Sequence, residues 1–170
     1  ESSFLSKGRM FMKKSLLFIV CLLSMFAVIW AMSEISSSYA EPEEALLARD
    51  KDLFLIPAYK QNDRALYFFI KNENHLGAAY VYKGFFGWKA GMLTWSSMET
   101  ERNLENLGGY QKHESNLIFG LIRHGNERMI QVGKHTANIL DLATLAPEEV
   151  EKFRLEGVYL WYLESDVRIN

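Results

Sequence analysis

One cysteine and three prolines in 170 residues, and no run of basic side chains, exclude several classes of protein at once. Cys21 lies inside an apolar run and reads as a filler there. Val20 before it is larger than the small residue a lipoprotein signal carries at that place. The rest of the chain has no thiol for a disulfide framework, a nucleophile, a cysteine zinc site or haem attachment. Residues 41–170 hold 15 Lys and Arg against 19 Asp and Glu, with no basic stretch interleaved with aromatics, so nucleic acid is not an expected partner. Also missing are a Gly-x-Ser-x-Gly elbow, a phosphate-cradling Gly-x-x-x-x-Gly-Lys loop, a dinucleotide-binding glycine pattern and a His-Glu-x-x-His pair.

The most informative absence is local. From Ser15 to Met32 no charge occurs over 18 positions, directly behind Lys13 and Lys14. An apolar stretch of that length approaches what a bilayer-spanning helix needs, and lysines before it favour the cytoplasmic side. The chain beyond Ser33 is therefore expected outside the cytoplasm. Met12-Lys13-Lys14 has the form of an export-signal start. Lys7-Gly8-Arg9 can be encoded by a purine run resembling a ribosome-binding site, so residues 1–11 read as translated upstream sequence, outside the fold reasoning.

Two fates of segment 12–40 compete. Ser38-Tyr39-Ala40 puts small residues at both positions a signal peptidase reads, with Ala40 as the processing residue and Glu41-Pro42 as the new start; the product would then be secreted. The apolar core exceeds the roughly 7–15 residues of a signal peptide and approaches the roughly 17–25 of a spanning helix. The balance favours an anchor through residues 15–32.

Residues 41–170 suffice for one domain with its own core and are too few for two. Their pattern is that of strands. Leu53–Tyr59 and Ala65–Ile70 flank the turn cluster Gln61-Asn62-Asp63. Asn72–His75 then leads into Gly77–Lys83, and Gly84-Phe85-Phe86-Gly87 leads into Trp88–Trp95, completing a four-strand meander. Leu66–Ile70 has no polar residue on either face, which predicts a central strand covered on both sides. Ser96–Gly109 reads either as a short helix opened by a Ser96/Glu99 capping box or as an irregular loop. Leu117–Arg123 and Met129–Val132 flank His124-Gly125-Asn126-Glu127 as a further predicted hairpin. Thr136–Leu142 and Val158–Leu163 come next, joined by a helical turn after Pro147 with Val150 and Phe153 facing inward. Glu43–Arg49 reads as a short linking helix. About eight short strands predict a mainly β domain, an antiparallel sandwich or barrel with one or two short helices.

Ala65-Leu66-Tyr67-Phe68-Phe69, Phe85-Phe86-Gly87-Trp88-Lys89, Asn116-Leu117-Ile118-Phe119-Gly120-Leu121-Ile122 and Trp161-Tyr162, behind an N-terminal apolar segment, form an order that resembles small exported or membrane-anchored proteins of Gram-positive bacteria. The resemblance covers most of the exported domain. It implies no activity and carries no catalytic residue with it.

Four places attract a functional reading. Phe85, Phe86 and Trp88, bounded by glycines and by Lys83 and Lys89, could present an aromatic anchor to a partner protein, an envelope polymer or a membrane surface, with the lysines facing anionic groups. Folding back over the open end of the sheets is the structural alternative. His75, His113, His124 and His135 read as solvated turn histidines. A histidine/carboxylate site drawn from His113, Glu114, His124, His135 and Asp141 would instead define a small envelope hydrolase. Asp50-Lys51-Asp52 lacks the glycine and closing glutamate of a calcium loop and reads as a capped turn. Trp95 and Trp161 read as core.

The sequence as a whole favours a membrane-tethered or secreted binding module, not an enzyme, with no cofactor or metal called for. The hydrolase, and a membrane-linked sensor working through a transmembrane partner, stand as alternatives.

Overall fold

The computed structural model describes residues 2–98, 111–114, 116–123, 129–145 and 147–164. A long helix, α1 (Ser2–Ser36), precedes a short one, α2 (Pro42–Leu47). Four strands come next: β1 (Phe54–Lys60), β2 (Arg64–Lys71), β3 (His75–Gly84) and β4 (Gly87–Ser97). After them lie β5 (Gln111–His113), β6 (Leu117–Ile122), β7 (Ile130–Val132), β8 (His135–Asp141), a 3₁₀ turn (Leu142–Thr144), α3 (Pro147–Lys152) and β9 (Tyr159–Glu164).

The first sheet has the order β1-β2-β3-β4 and the second β5-β6-β9-β8-β7, with every pairing antiparallel. The domain is thus mainly β, as the alternation predicts. The inner faces of the two sheets share one core: Ile56, Phe68 and Tyr80 from the first meet Phe119, Leu160 and Tyr162 from the second, with Leu155 and Phe153 closing it. Phe68 stands 5.2 Å from Phe119 and 5.4 Å from Tyr162, centroid to centroid. Two apolar faces stacked this way keep water off both ladders, which is the architecture of a sandwich.

The central strands of the first sheet are buried on both faces along most of their length. Tyr67, Phe69, Val81 and Trp88 on its outer side lie under Ala45 and Leu46 of α2. All six residues Ala65–Ile70 are buried, as expected of a central strand. α2 starts at Pro42, and its first turn carries Glu43 and Glu44, a favourable charge for a helix N-terminus. The Tyr67 hydroxyl donates to Glu43, which holds the helix over the sheet. Pro57 sits in the edge strand β1, the place in a sheet where a missing N–H is tolerated, and Ala58 bulges beside it. Gly77 faces Phe69 across the ladder. A Cβ there would lie 2.3 Å from the Phe69 ring and 2.5 Å from the Thr94 carbonyl oxygen, so only glycine fits.

Several details differ from expectation. A ninth strand among the described residues, β5, is too short to show a period. The predicted hairpin between Leu117–Arg123 and Met129–Val132 is not paired: β6 bonds to β5 and β9, while β7 bonds to β8. β9 is apolar on both faces and so belongs in the middle of its sheet. Leu160 and Tyr162 enter the inner core, and Trp161 and Leu163 the outer cluster with Ile118 and Ile130. It therefore separates β6 from β8, and Gly133, with φ 65°, makes the tight β7–β8 turn. Ser96 opens no helix; it lies in β4 opposite Leu76. Residues 99–110 and the turn His124-Gly125-Asn126-Glu127 lie outside the described residues.

Candidate functional site

Phe18–Ser36 is the one helix among the described residues long and apolar enough to cross a membrane, and none of its apolar window is buried in the protein. Its last turns meet the domain. Glu34, two residues past the apolar run, pairs with Lys89 of β4. Beyond the helix, Tyr39 joins the edge of β4 as a strand bridge: Tyr39 N–H donates to the Trp88 carbonyl at 3.0 Å, and Trp88 N–H to the Tyr39 carbonyl at 2.8 Å. Gly87, with φ 142°, permits this approach, since a Cβ there would stand 2.5 Å from the Tyr39 carbonyl oxygen.

This bridge divides the aromatic corner. Trp88 is only 3% exposed, sunk among Tyr39, α2 and Val81, with the Lys60 and Lys83 ammonium groups each 5.7 Å from its ring centroid. Phe85 is 97% exposed and Phe86 39%, their rings edge-on at 5.1 Å. Within the corner Trp88 is packing, and Phe85 with Phe86 form an exposed tip. Of the two lysines flanking the tip, Lys89 is paired with Glu34, while Lys83 is exposed with its ammonium over the indole.

A second cluster, not read from the sequence, occupies the same end of the sandwich. Arg64, Tyr82 and Lys89 form one cross-strand row next to the tip. Below it, Glu164 Oε1 accepts from Tyr59 OH at 2.8 Å and from Tyr80 OH at 2.6 Å, and Arg64 stands 3.7 Å from the same oxygen. The guanidinium lies 5.7 Å from the Tyr59 ring centroid and 5.5 Å from that of Tyr80. Burial, reinforced by Glu164, raises the pKa of both phenols, which stay neutral donors.

His113 belongs to this cluster and is fully buried, which corrects its reading as a solvated turn residue. β5 lays it against sheet one, where its Nδ1 shares a hydrogen bond with Thr94 Oγ1 and its ring lies 5.5 Å from Tyr80. Its Nε2 is 3.7 Å from Glu114 Oε1, beyond hydrogen-bond reach, and has no hydrogen-bond partner among the described residues. Desolvation lowers its pKa, opposed by Glu114, so the neutral ring is favoured. Glu114 takes a left-handed backbone (φ 53°) to turn β5 into β6, and its carboxylate also reaches Tyr82. The only sequence signal for this group is tyrosine at alternate positions of β3, with Arg64 and Glu164 at strand ends.

The proposed hydrolase set is not assembled among the described residues. His113 and Glu114 are adjacent, His124 lies outside the described residues, and His135 is exposed on β8. Asp141 accepts from Ala143 N–H as the cap of the 3₁₀ turn. No group of three or more His, Cys, Asp or Glu side chains is placed to hold a metal ion among the described residues. At the opposite end, Asp50 caps its own turn through Asp52 N–H and pairs with Lys71 at 2.7 Å, in agreement with the capped-turn reading. Lys71 holds the Asp50 carboxyl below its ordinary pKa. Beside it a cleft of about 450 Å³ is lined by Lys51, Asp52, Phe54, Asn72, Glu149 and Phe153. Trp161 is core at 1% exposure, whereas Trp95 is 46% exposed with the Lys71 ammonium 4.3 Å from its ring centroid.

Comparison of this chain with family models, with curated proteins and with solved structures finds no match.

Proposed function

We propose that this chain is a binding module of the cell envelope, held outside the cytoplasm by α1 and presenting the Phe85–Phe86 tip to a partner. The observation that carries the reading is the contrast within one corner: Trp88 is sunk and braced, while Phe85 beside it stands almost fully in solvent. An exposed aromatic pair on a braced hairpin offers contact area that no internal packing uses. Retention of the helix is favoured by the fate of Tyr39. Cleavage after Ala40 would remove the strand bridge and uncover the Trp88 backbone.

A photo-crosslinking amino acid at position 85 of the full chain, expressed in cells and irradiated, tests the proposal, with Glu73 in the opposite turn as control. Adducts at 85 and none at 73 are expected; equal labelling, or none at 85, overturns the reading. A hydrolytic role would instead require turnover that is lost on His113→Gln with the fold intact.

A further inference from the structure

The tip has one neighbour that is always within reach, the bilayer crossed by the chain's own helix. We propose that Phe85 and Phe86 seat at the headgroup–acyl boundary of that bilayer's outer leaflet and contact acyl chains irrespective of headgroup charge. The inference rests on the anchored reading of α1.

The argument is one of distance and charge. Glu34 follows Met32 by two residues, about 3 Å along a helix rising 1.5 Å per residue. Its ion pair with Lys89 therefore fixes that point of β4 just above the end of the apolar run. Phe85 lies four residues from Lys89 around the β3–β4 turn, a reach of at most about 13 Å in extended chain. The Tyr39–Trp88 bridge prevents the hairpin from swinging away from the helix exit. The interfacial layer on each side of the hydrocarbon is about 5–7 Å thick, and apolar groups bind by entering it about 5–10 Å. An aromatic tip on a hairpin tied to the helix exit, and within about 13 Å of it, would meet lipid at high effective concentration, without a search in three dimensions.

The charges decide which lipid property is recognised. Of the three lysines around the tip, Lys60 and Lys89 are each paired with a carboxylate of the segment leaving the membrane, Glu41 and Glu34, and the exposed Lys83 lies 5.7 Å from the Trp88 ring centroid, so at most one cation without a carboxylate stands beside the aromatic pair. Phe85 and Phe86 carry the contact, and apolar contact is insensitive to headgroup charge and to salt screening.

The test uses the full chain with Cys21→Ala, reconstituted in nanodiscs of phosphatidylcholine alone or mixed with phosphatidylglycerol. A spin label is placed by Phe85→Cys or, as control, by Glu73→Cys, and accessibility to oxygen and to a nickel chelate reports depth. The expected result is oxygen-dominated accessibility at 85 in both lipid mixtures, unchanged by added salt, with nickel-dominated accessibility at 73. Adding Phe86→Ser should shift the label at 85 toward the nickel reagent. A label at 85 as wet as that at 73 overturns the proposal; if residue 85 still crosslinks to an envelope protein or polymer, the binding-module reading survives without it. Immersion only in the anionic mixture overturns charge independence. Intact mass showing loss of residues 1–40 from the cellular protein overturns both readings.

Discussion

The exposed tip and the polar cluster lie at the same end of the sandwich and treat their side chains in opposite ways. At the tip, Phe85 stands almost fully in solvent and Phe86 is partly exposed beside it. A few residues inward, Tyr59, Tyr80, Arg64 and Glu164 bring polar groups out of water and pair them with one another. The difference teaches how to tell holding from binding. A buried polar group must be satisfied internally or it costs stability, so the shared acceptor of Tyr59 and Tyr80 is explained by the fold, while the His113 Nε2 beside it has no hydrogen-bond partner among the described residues. An exposed aromatic tip is area that the fold leaves available to something outside it.

Substitutions along this gradient should break the two regions differently. The largest effect is expected where the corner turns inward: Trp88→Ala should cost about 3–5 kcal/mol by removing a buried indole from beneath Tyr39 and α2, read as a fall in denaturant midpoint. Next, Glu164→Ala should cost about 2 kcal/mol, because two tyrosine hydroxyls and Arg64 lose their shared acceptor while water partly replaces it. Tyr80→Phe, which removes one donor and leaves the acceptor paired, should cost about half as much. An equal loss from both changes would refute a shared acceptor.

A third effect arises from His113. Its folded pKa lies below the ordinary 6.5, so the unfolded chain takes up the proton first. The stability it contributes is complete above about pH 6.5 and falls as pH drops from there toward the folded value, by at most about 1.4 kcal/mol per pH unit. Denaturant midpoints between pH 7 and 5 should show this slope, and His113→Gln should flatten it. Asp50 acts in a separate, lower window: its depressed pKa gives stability lost only as pH falls below about 4. The smallest effect belongs to the tip, where Phe85→Ala should change stability by less than about 0.5 kcal/mol. A cost near that of Trp88→Ala would mean that the tip is packing after all.

Much of this fold was legible beforehand, for reasons specific to its segments. Leu66–Ile70 is apolar at every position, and only a central strand can bury both of its faces. Val158–Leu163 alternates two apolar sets, and the structure delivers them to two different clusters. The pairing of β6 was not legible, because the hairpin rule favours neighbours in sequence, while the doubly apolar β9 takes the interior place from 37 residues after the end of β6. The candidate site was half legible. Glycines around Phe85-Phe86-Gly87-Trp88 mark a turn, yet nothing in the spacing says that Tyr39 will claim Trp88 and leave Phe85 outside.

The sequence by itself determined a long apolar helix, a β domain behind it and the absence of recognisable catalytic motifs, since hydrophobic runs and two-residue alternation are local properties. Only the tertiary structure decided that His113 is buried, that Lys60 and Lys89 are spoken for, and that Trp88 and Lys89 are tied to the segment leaving α1. Those outcomes depend on contacts between residues 19 to 55 positions apart, and such contacts are set by how whole faces pack, which no local pattern encodes.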